Sequence, residues 1–280
     1  MKTAALITHS HPPAATEAVK IAAEVAGELG WRLAASRDEL EKHGSAAEGI
    51  DVTAEHTLPS LCLVLGGDGS ILHALRRYAH TEVPVFGVNF GTVGFLAAVE
   101  RDEAREGVRR ALEGEIETVA LPGLELACDG VEEIGLNDIT LARRPHDRVA
   151  ELSYRIAGKE VGHVRCDGLV AATPVGSTGY NLANQGPILA WGVKGYVVSY
   201  ISPHSLTARA LVVAPEDVLH VDNAPGREPV EVAVDGGKVA DLSPGAELEV
   251  RFLDSVSTLA QLPGASFYQR IRDKFGHLAV

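Results

Sequence analysis

Cysteine, aromatic residues and long apolar runs are all scarce in this sequence of 280 residues. The three cysteines, Cys62, Cys128 and Cys166, stand far apart without a C-x-x-C pair, which suits reduced thiols better than a disulfide framework. No run approaches the roughly 20 apolar residues of a membrane span, and the first residues are too poor in apolar side chains for a signal-peptide core. We therefore expect a cytoplasmic protein that does not enter membranes.

Positive charge is also in short supply. Lys and Arg number 25 against 38 Asp and Glu, for a formal net charge of −13. A field of this sign repels nucleic acid and anionic membrane surfaces, so neither is expected as a partner. Phosphate ligands remain possible, because their sites are local and use backbone N–H groups with a few cations. The 11 histidines show no H-E-x-x-H or clustered Cys/His spacing, so no protein-borne metal site is predicted.

The order of apolar segments predicts an α/β domain followed by a β-rich one. Up to about residue 115, short apolar strands alternate with helical patterns, which indicates a parallel sheet with helices on both faces. From 116 to 260 the pattern becomes strand-like, with turn signals at Asp129-Gly130, Gly158 and Asp235-Gly236, typical of antiparallel hairpins. Residues 261–280 are expected to pack back on the first domain.

One turn stands out because it holds three glycines around an acid. We call Gly66–Ser70, GGDGS, the glycine loop; it follows the apolar run LCLVL and precedes a helical pattern. Ligands of open α/β sheets bind beyond the carboxyl ends of strands, and glycines let phosphate oxygens approach the backbone. A helix beginning near Ser70 would direct its positive end, with His73 and Arg77 nearby, to the same place. The alternative is a tight turn with Ser70 as helix N-cap.

Three further segments, all within the predicted β-rich domain, carry polar side chains suited to a nucleotide. Asn137-Asp138 could hold the two hydroxyls of a ribose, although such a pair taken alone is more often a polar strand end. Residues 173–181, which we call the hydroxyl loop, combine glycine, Ser and Thr with Tyr180, whose ring could pack on a base; the alternative is a turn-rich connector. His204 is a candidate contact, but a lone histidine is more often structural.

Known nucleotide and hydrolase motifs are missing. The sequence has no G-x-x-x-x-G-K-[ST] and no strand followed by G-x-G-x-x-G, which argues against a P-loop kinase and a dinucleotide fingerprint. A hydrolase elbow requires G-x-S-x-G, and Val175 occupies its first position.

Taken together, the blocks resemble the NAD kinase family over most of the chain. They are GGDGS at 66–70, GVNFGTVGFL at 87–96, LND at 136–138, DGLVAATPVGSTGYNLANQGPI at 167–188 and SPHSLTAR at 202–209. The first block also occurs in lipid kinases and phosphofructokinases, whereas the later ones are more specific.

The resemblance implies NAD bound between the two domains and phosphoryl transfer to the 2′-hydroxyl of its adenosine ribose. The donor would be ATP or polyphosphate with Mg²⁺ or another divalent cation, and the assembly a homodimer or homotetramer. Asp68 would accept the proton, Asn137 and Asp138 would hold a ribose, and Asp167 with Arg165 would lie at the nicotinamide end. The full set of predicted binding residues is Gly67, Asp68, Gly69, His73, Asn89, Phe95, Asn137, Asp138, Arg148, Arg165, Asp167, Val175, Thr178, Gly179, Tyr180, Asn181, Leu182, Ala183 and His204.

Some positions depart from the family pattern. Ser70 replaces the usual threonine and Asp138 the commoner glutamate, and both keep the functional group. Gly179 and Gln185 stand where alanine and glycine are common, and Gly237 replaces a frequent glutamine, so a contact from that side chain is not expected. Two rival functions remain at this point: a lipid or sugar kinase using the same loop, and a non-catalytic dinucleotide-binding protein.

Overall fold

The computed structural model describes residues 2–9, 11, 13, 15–53 and 58–276. Contacts within the chain divide it into two compact units, Met1–Ala120 with Ser257–Val280, and Leu121–Val256. The predicted boundaries at 115/116 and 260/261 lie within five residues of these divisions, and the functions given to the domains stay predictions. Residues 277–280 of the predicted C-terminal segment lie outside the described residues. In the described part of the chain, no helix is both long and apolar enough to cross a membrane.

The first unit is built on a parallel sheet. Its strands run in the order β18, β5, β4, β1, β2, β3, and every neighbouring pair is parallel. Its strands are β1 (Thr3–Thr8), β2 (Arg32–Ala35), β3 (Asp51–Val52), β4 (Leu61–Gly66), β5 (Pro84–Asn89), β6 (Val99–Glu100) and the last residues of β18 (Glu247–Gln261). Its helices are α1 (Thr16–Glu28), α2 (Arg37–His43), α3 (Asp68–Arg77), α4 (Ala104–Glu113) and α6 (Phe267–Phe275).

The apolar pattern of this unit explains its layers. All six residues of β4 are buried, as expected for a strand covered on both faces of a parallel sheet. Helix α1 buries one stripe, which includes Val19, Ala22 and Val25, and helix α4 ends where Gly114 takes φ +90°, a conformation that favours glycine. The predicted α/β unit with a parallel sheet is confirmed.

The second unit consists of antiparallel strands. One group is ordered β11, β10, β15, β18, with β7 paired to β8; a six-stranded sheet is ordered β14, β13, β12, β9, β16, β17. The strands are β7 (Glu117–Cys128), β8 (Val131–Gly135), β9 (Asp138–Arg143), β10 (Ala150–Ile156), β11 (Lys159–Cys166), β12 (Gly168–Ala172), β13 (Tyr196–Ile201), β14 (Leu211–Val213), β15 (Leu219–Asn223), β16 (Val230–Val234) and β17 (Gly237–Leu242). The short helix α5 covers Tyr180–Ala183.

The three predicted hairpin turns are confirmed. Asp129-Gly130 joins β7 to β8, Ala157-Gly158 joins β10 to β11, and Asp235-Gly236 joins β16 to β17. Both central residues of each turn have positive φ, between +47° and +80°. Two-residue turns of this hand match the twist of the strands they connect, which favours the Gly at the second position of each turn and the Asp at the first position of two of them.

Candidate active site

The glycine loop joins β4 to α3 more tightly than the sequence predicts. Helix α3 begins at Asp68 with Gly67 as its N-cap, so the predicted start near Ser70 and the alternative of Ser70 as N-cap are both wrong. A Cβ on Gly66 would lie 2.6 Å from the Ser70 side chain, and one on Gly67 would lie 3.2 Å from the Cα of Gly91. A Cβ on Gly69, by contrast, would meet nothing within 4 Å. Asp68 therefore stands in the first helical turn beside an open backbone.

The carboxylate of Asp68 is fixed by two backbone amides. The N–H of Phe95 donates to Oδ2 at 2.9 Å, and the N–H of Leu96 donates to Oδ1 at 2.7 Å. Each oxygen keeps further acceptor capacity, because a carboxylate oxygen has two lone pairs. The side chain is half-buried. This arrangement holds an acid in one orientation with room for a further partner.

Asn89 and Gly94 shape the segment that reaches Asp68. Asn89 is 4% exposed; its Oδ1 accepts the N–H of Gly91 at 3.0 Å, and its Nδ2 donates to Glu100 at 2.8 Å. Gly94 takes φ +67°, and a Cβ there would lie 2.2 Å from the Asn89 amide. The ring of Phe95 is buried. The structure thus shows Asn89 and Phe95 arranging the backbone around Asp68, and their predicted contacts with substrate stay predictions.

His73 lies farther along α3. It lines a cavity of about 290 Å³, together with Arg77 and Lys42. Glu39 also lines it, and forms an ion pair with Lys42 at 2.7 Å. The cavity therefore mixes both signs of charge.

In the second unit, Asp235 organises the strand end that carries Asn137 and Asp138. Its carboxylate accepts the backbone N–H groups of Leu136, Asn137 and Asp138, at 3.0, 2.7 and 3.2 Å. Sequence reasoning placed Asp235 only in a hairpin turn, and an Asp-Gly turn gives no signal of this second role. The turn thus ties two segments that lie almost 100 residues apart in sequence.

Asp138 is the buried acid of this unit, at 7% exposure. Burial raises the pKa of its carboxyl to about 6, and the charge of Asp235 acts in the same direction. The Thr140 hydroxyl, which donates to Oδ1 at 3.1 Å, opposes the shift. Asp138 is thus a buried carboxylate with one hydroxyl donor among the described residues.

The hydroxyl loop is hydrogen-bonded to the same strand end. The Thr173 hydroxyl donates to the carbonyl of Leu136 at 2.6 Å, and the Thr173 N–H donates to the carbonyl of Asn137 at 2.9 Å. A Cβ on Gly176 would lie 2.0 Å from the carbonyl oxygen of Asn137. The structure therefore brings the predicted Asn137-Asp138 pair and the hydroxyl loop together.

The remaining residues of this loop divide into buried and exposed groups. Val175 is buried, and its carbonyl accepts the Thr178 hydroxyl at 3.1 Å. The buried amide of Asn181 donates to the carbonyls of Ser177 and Pro187 at 2.9 and 3.0 Å. Tyr180 is 44% exposed. Gly179 and Ala183 are also exposed, and Leu182 is half-buried.

Asp167 has a partner that sequence reasoning missed. Arg143 Nε donates to its carboxylate at 2.6 Å, whereas Arg165 is exposed, and its carbonyl accepts the His204 N–H at 2.7 Å. Arg143 holds the pKa of the Asp167 carboxyl below its usual range, and the charge of His204 acts in the same direction.

Arg148 is exposed, and its Nε lies 4.0 Å from a Glu228 carboxylate oxygen. The carbonyl of the preceding residue, Asp147, accepts Nη1 of Arg143 at 3.2 Å, and the same Arg143 donates to Asp167. A contact of the Arg148 side chain with substrate stays a prediction.

These features define a class of protein: a chain with an α/β unit, whose glycine loop at a strand's carboxyl end carries a fixed carboxylate, and a second, β-rich unit. Comparison with known proteins identifies the family to which the chain belongs within this class. Residues 17–116 match the ATP-NAD kinase N-terminal domain, and residues 136–259 match the ATP-NAD kinase C-terminal domain. The chain belongs to the NAD kinase family.

Relatives and solved structures agree with this assignment. The NAD kinase of Gemmatimonas aurantiaca is 34% identical, covering 85% of this chain and 84% of its own. That of Thermobifida fusca is 31% identical, with 98% and 89% covered. A yeast NADH kinase complexed with NADH has a TM-score of 0.88 at 22% identity, over 100% of this chain and 89% of its own. An Archaeoglobus fulgidus NAD kinase in complex with ATP has a TM-score of 0.72 at 23% identity, over 98% and 97%. At these identities, the solved structures support the fold alone.

Proposed function

We propose that this protein is an NAD kinase, which transfers a phosphoryl group from ATP to the 2′-hydroxyl of the adenosine ribose of NAD and forms NADP. The observation that carries the proposal is the carboxylate of Asp68, held by two backbone N–H groups beside the open backbone of Gly69. Family membership supplies the substrate class.

Asp68 accepts the proton of the ribose hydroxyl. As the 2′-oxygen forms its bond to the terminal phosphorus of ATP, the bond from that phosphorus to the bridging oxygen breaks, and ADP leaves. Phosphoryl transfer depends mainly on positioning and charge neutralisation, so an aspartate serves although it is a weak base. The two amide contacts keep its reactive oxygen in one place.

A divalent cation fits this site if ATP carries it in. Mg²⁺ is usually held by one or two carboxylates together with substrate phosphates, and Asp68 is an oxygen donor with lone pairs to spare. When bound, the cation neutralises charge on the donor phosphates. Among the described residues, no group of three or more His, Cys, Asp or Glu side chains is placed to hold a metal ion.

The second unit supplies recognition of the dinucleotide. Asn137 and Asp138 hold a ribose, the half-exposed ring of Tyr180 packs on a base, and Asp167 with Arg165 contacts the nicotinamide end. Asp167 is already oriented by Arg143. His204 belongs to the same group, because its backbone N–H donates to the carbonyl of Arg165.

We also propose an oligomeric state and a cellular location, each from a separate feature of the chain. We expect a homodimer or homotetramer, because β14 is an edge strand with Leu211 and Val212 exposed at 40% and 48%, and unpaired edges invite association. We expect a cytoplasmic enzyme, because its three cysteines are free and buried, as is usual where thiols stay reduced.

The direct test incubates pure protein with NAD, Mg²⁺ and either ATP or inorganic polyphosphate, and detects NADP with an NADP-specific dehydrogenase. ATP should give NADP. Replacing Asp68 by Asn should leave folding and NAD binding intact and lower kcat by at least about a thousandfold, within the range of a lost general base.

The exposed Asp102→Asn, in the same unit, is the matched control and should keep full activity. Unchanged turnover in Asp68→Asn would show that another group accepts the proton. NAD binding without any NADP formation by the parent protein would instead point to a non-catalytic dinucleotide-binding protein.

A further inference from the structure

Helix α6 touches the segment that orients Asp68. We call residues 95–97 the strap. Arg270, on α6, donates to the carbonyl of Phe95 at 2.8 Å and also to that of Ala97. Gln261 donates to the carbonyl of Leu96 at 3.1 Å, and the same Gln261 accepts from Arg270. Three consecutive carbonyls of the strap are therefore held from the C-terminal end of the chain.

The other side of the strap faces Asp68. A trans peptide is planar, so its C=O and the following N–H point in opposite directions. The carbonyl of Phe95 and the N–H of Leu96 belong to one peptide, with Arg270 on the first and Asp68 on the second. A guanidinium on one end also polarises that peptide and strengthens the hydrogen bond at the other. One rigid unit thus links a cation on α6 to the acid of the glycine loop.

Neighbouring contacts keep α6 in place against the strap. The ring of Phe95 lies 5.9 Å from that of Phe267 and 6.0 Å from that of Phe275. Lys274 pairs with Glu100 at 2.6 Å, and Glu100 accepts the Asn89 amide. Arg270 is the member of this set that reaches the strap carbonyls directly.

We infer that Arg270 is a positioning residue for phosphoryl transfer, acting through the strap peptide on the orientation of the Asp68 carboxylate. The inference rests on the proposed function, in which Asp68 accepts the ribose proton. Without Arg270 the peptide that joins Phe95 to Leu96 loses the hydrogen bond at its carbonyl end, and displacements of about 1 Å can cost about a hundredfold in rate. NAD affinity should hardly change, because none of the predicted ribose and base contacts involves the strap carbonyls.

The test compares Arg270→Met, Arg270→Lys and the control Arg272→Met. Arg272 lies on the same helix with 60% of its side chain exposed. Expressed per folded molecule, kcat should fall about 10- to 100-fold in Arg270→Met, while Kd for NAD stays within about threefold. In Arg270→Lys the charge is kept, but the ammonium group cannot donate to two carbonyls and Gln261 at once as the planar guanidinium does. The kcat of this variant should therefore fall about three- to tenfold. Arg272→Met should match the parent protein.

Two results would overturn the inference: parental kcat in folded Arg270→Met, or NAD affinity that falls as far as kcat, which indicates general loosening. If Arg270→Met does not fold, Arg270→Lys decides, and a parental kcat there contradicts the inference. Asp68→Asn separates the two proposals. Full turnover in that variant refutes the role of Asp68, whereas an inactive Asp68→Asn beside fully active Arg270 variants refutes only the role of Arg270.

Discussion

Gly69 of the glycine loop and Gly176 of the hydroxyl loop differ in what surrounds them. In the glycine loop, Gly69 is exposed and a Cβ there would meet nothing within 4 Å. In the hydroxyl loop, Gly176 is buried, and a Cβ would lie 2.0 Å from the carbonyl of Asn137. The first glycine is not required by the surrounding protein, and the second is.

This difference separates a glycine that the fold requires from one for which packing gives no reason. A glycine inside a helix costs about 1 kcal/mol relative to alanine, and Gly69 lies within the first turn of α3. We infer that the space above it is left for donor phosphates. Gly176 instead allows the hydroxyl loop to approach Asn137, so its contribution to function is indirect.

Asp68 and Asp138, the acids beside the two loops, differ in the hydrogen-bond donors that they receive. Asp68 receives two backbone N–H groups. Among the described residues, Asp138 receives only the Thr140 hydroxyl, because the amides at its strand end donate to Asp235. Asp68 is therefore oriented through both of its oxygens, whereas Asp138 is buried with one donor, and burial raises its pKa to about 6.

The largest effect on stability is expected from Gly176→Ala. The new methyl group would overlap the Asn137 carbonyl, and separating the loop from β9 should cost at least about 3 kcal/mol. The melting temperature should fall by about 6 to 12 °C, as measured by calorimetry. Gly192→Ala is the control, since a Cβ there meets nothing within 4 Å. An unchanged melting temperature in Gly176→Ala would mean that the close approach is not needed.

Sequence patterns were sufficient for most of the fold. Continuous apolar runs such as LCLVL predicted buried parallel strands, and the Asp-Gly pairs predicted hairpins, because each depends on local residues. The helix start was misplaced by two residues, since Ser70 is a better N-cap by propensity than Gly67. Tertiary packing of Gly67 against Gly91 overrides that preference.

The site was predictable only where the family pattern marks it. Asp68, Asn137 and the hydroxyl loop could be named from their motifs. The partners that orient them could not, because Asp235, Arg143 and Arg270 lie between 24 and 175 positions from the acid or backbone group to which they are hydrogen-bonded. Hydrogen bonds between such distant residues leave no local pattern in a single sequence.

Asp138→Asn should give a smaller effect on stability, with the opposite sign. The folded pKa of about 6 lies above the usual 3.8, so the folded state binds the proton more tightly and loses stability as pH rises through this window. Asparagine removes that loss. The variant should be more stable by on the order of 3 kcal/mol at pH 8 and by less than about 1 kcal/mol at pH 4.

Urea denaturation at the two pH values measures this difference, and NAD binding should weaken in the same variant if Asp138 holds a ribose. If the stability gain did not depend on pH, the charge of Asp138 would not be what destabilises the folded state. Thr140→Val provides a comparison, because it removes the hydroxyl that favours the charged form and should raise the pKa of Asp138 further.

The smallest effect on stability is expected from Gly69→Ala. This variant most directly tests the comparison between Gly69 and Gly176. Alanine at this helical position should stabilise the fold by about 0.5 to 1 kcal/mol, because the site has room for the methyl group. The same methyl should obstruct donor phosphates and lower kcat/KM for ATP about tenfold, or about 1.4 kcal/mol. Gly27→Ala, on the exposed face of α1 with nothing within 4 Å, should give a similar gain in stability without loss of activity. Equal activity in both variants would show that the space at Gly69 is not used by the nucleotide.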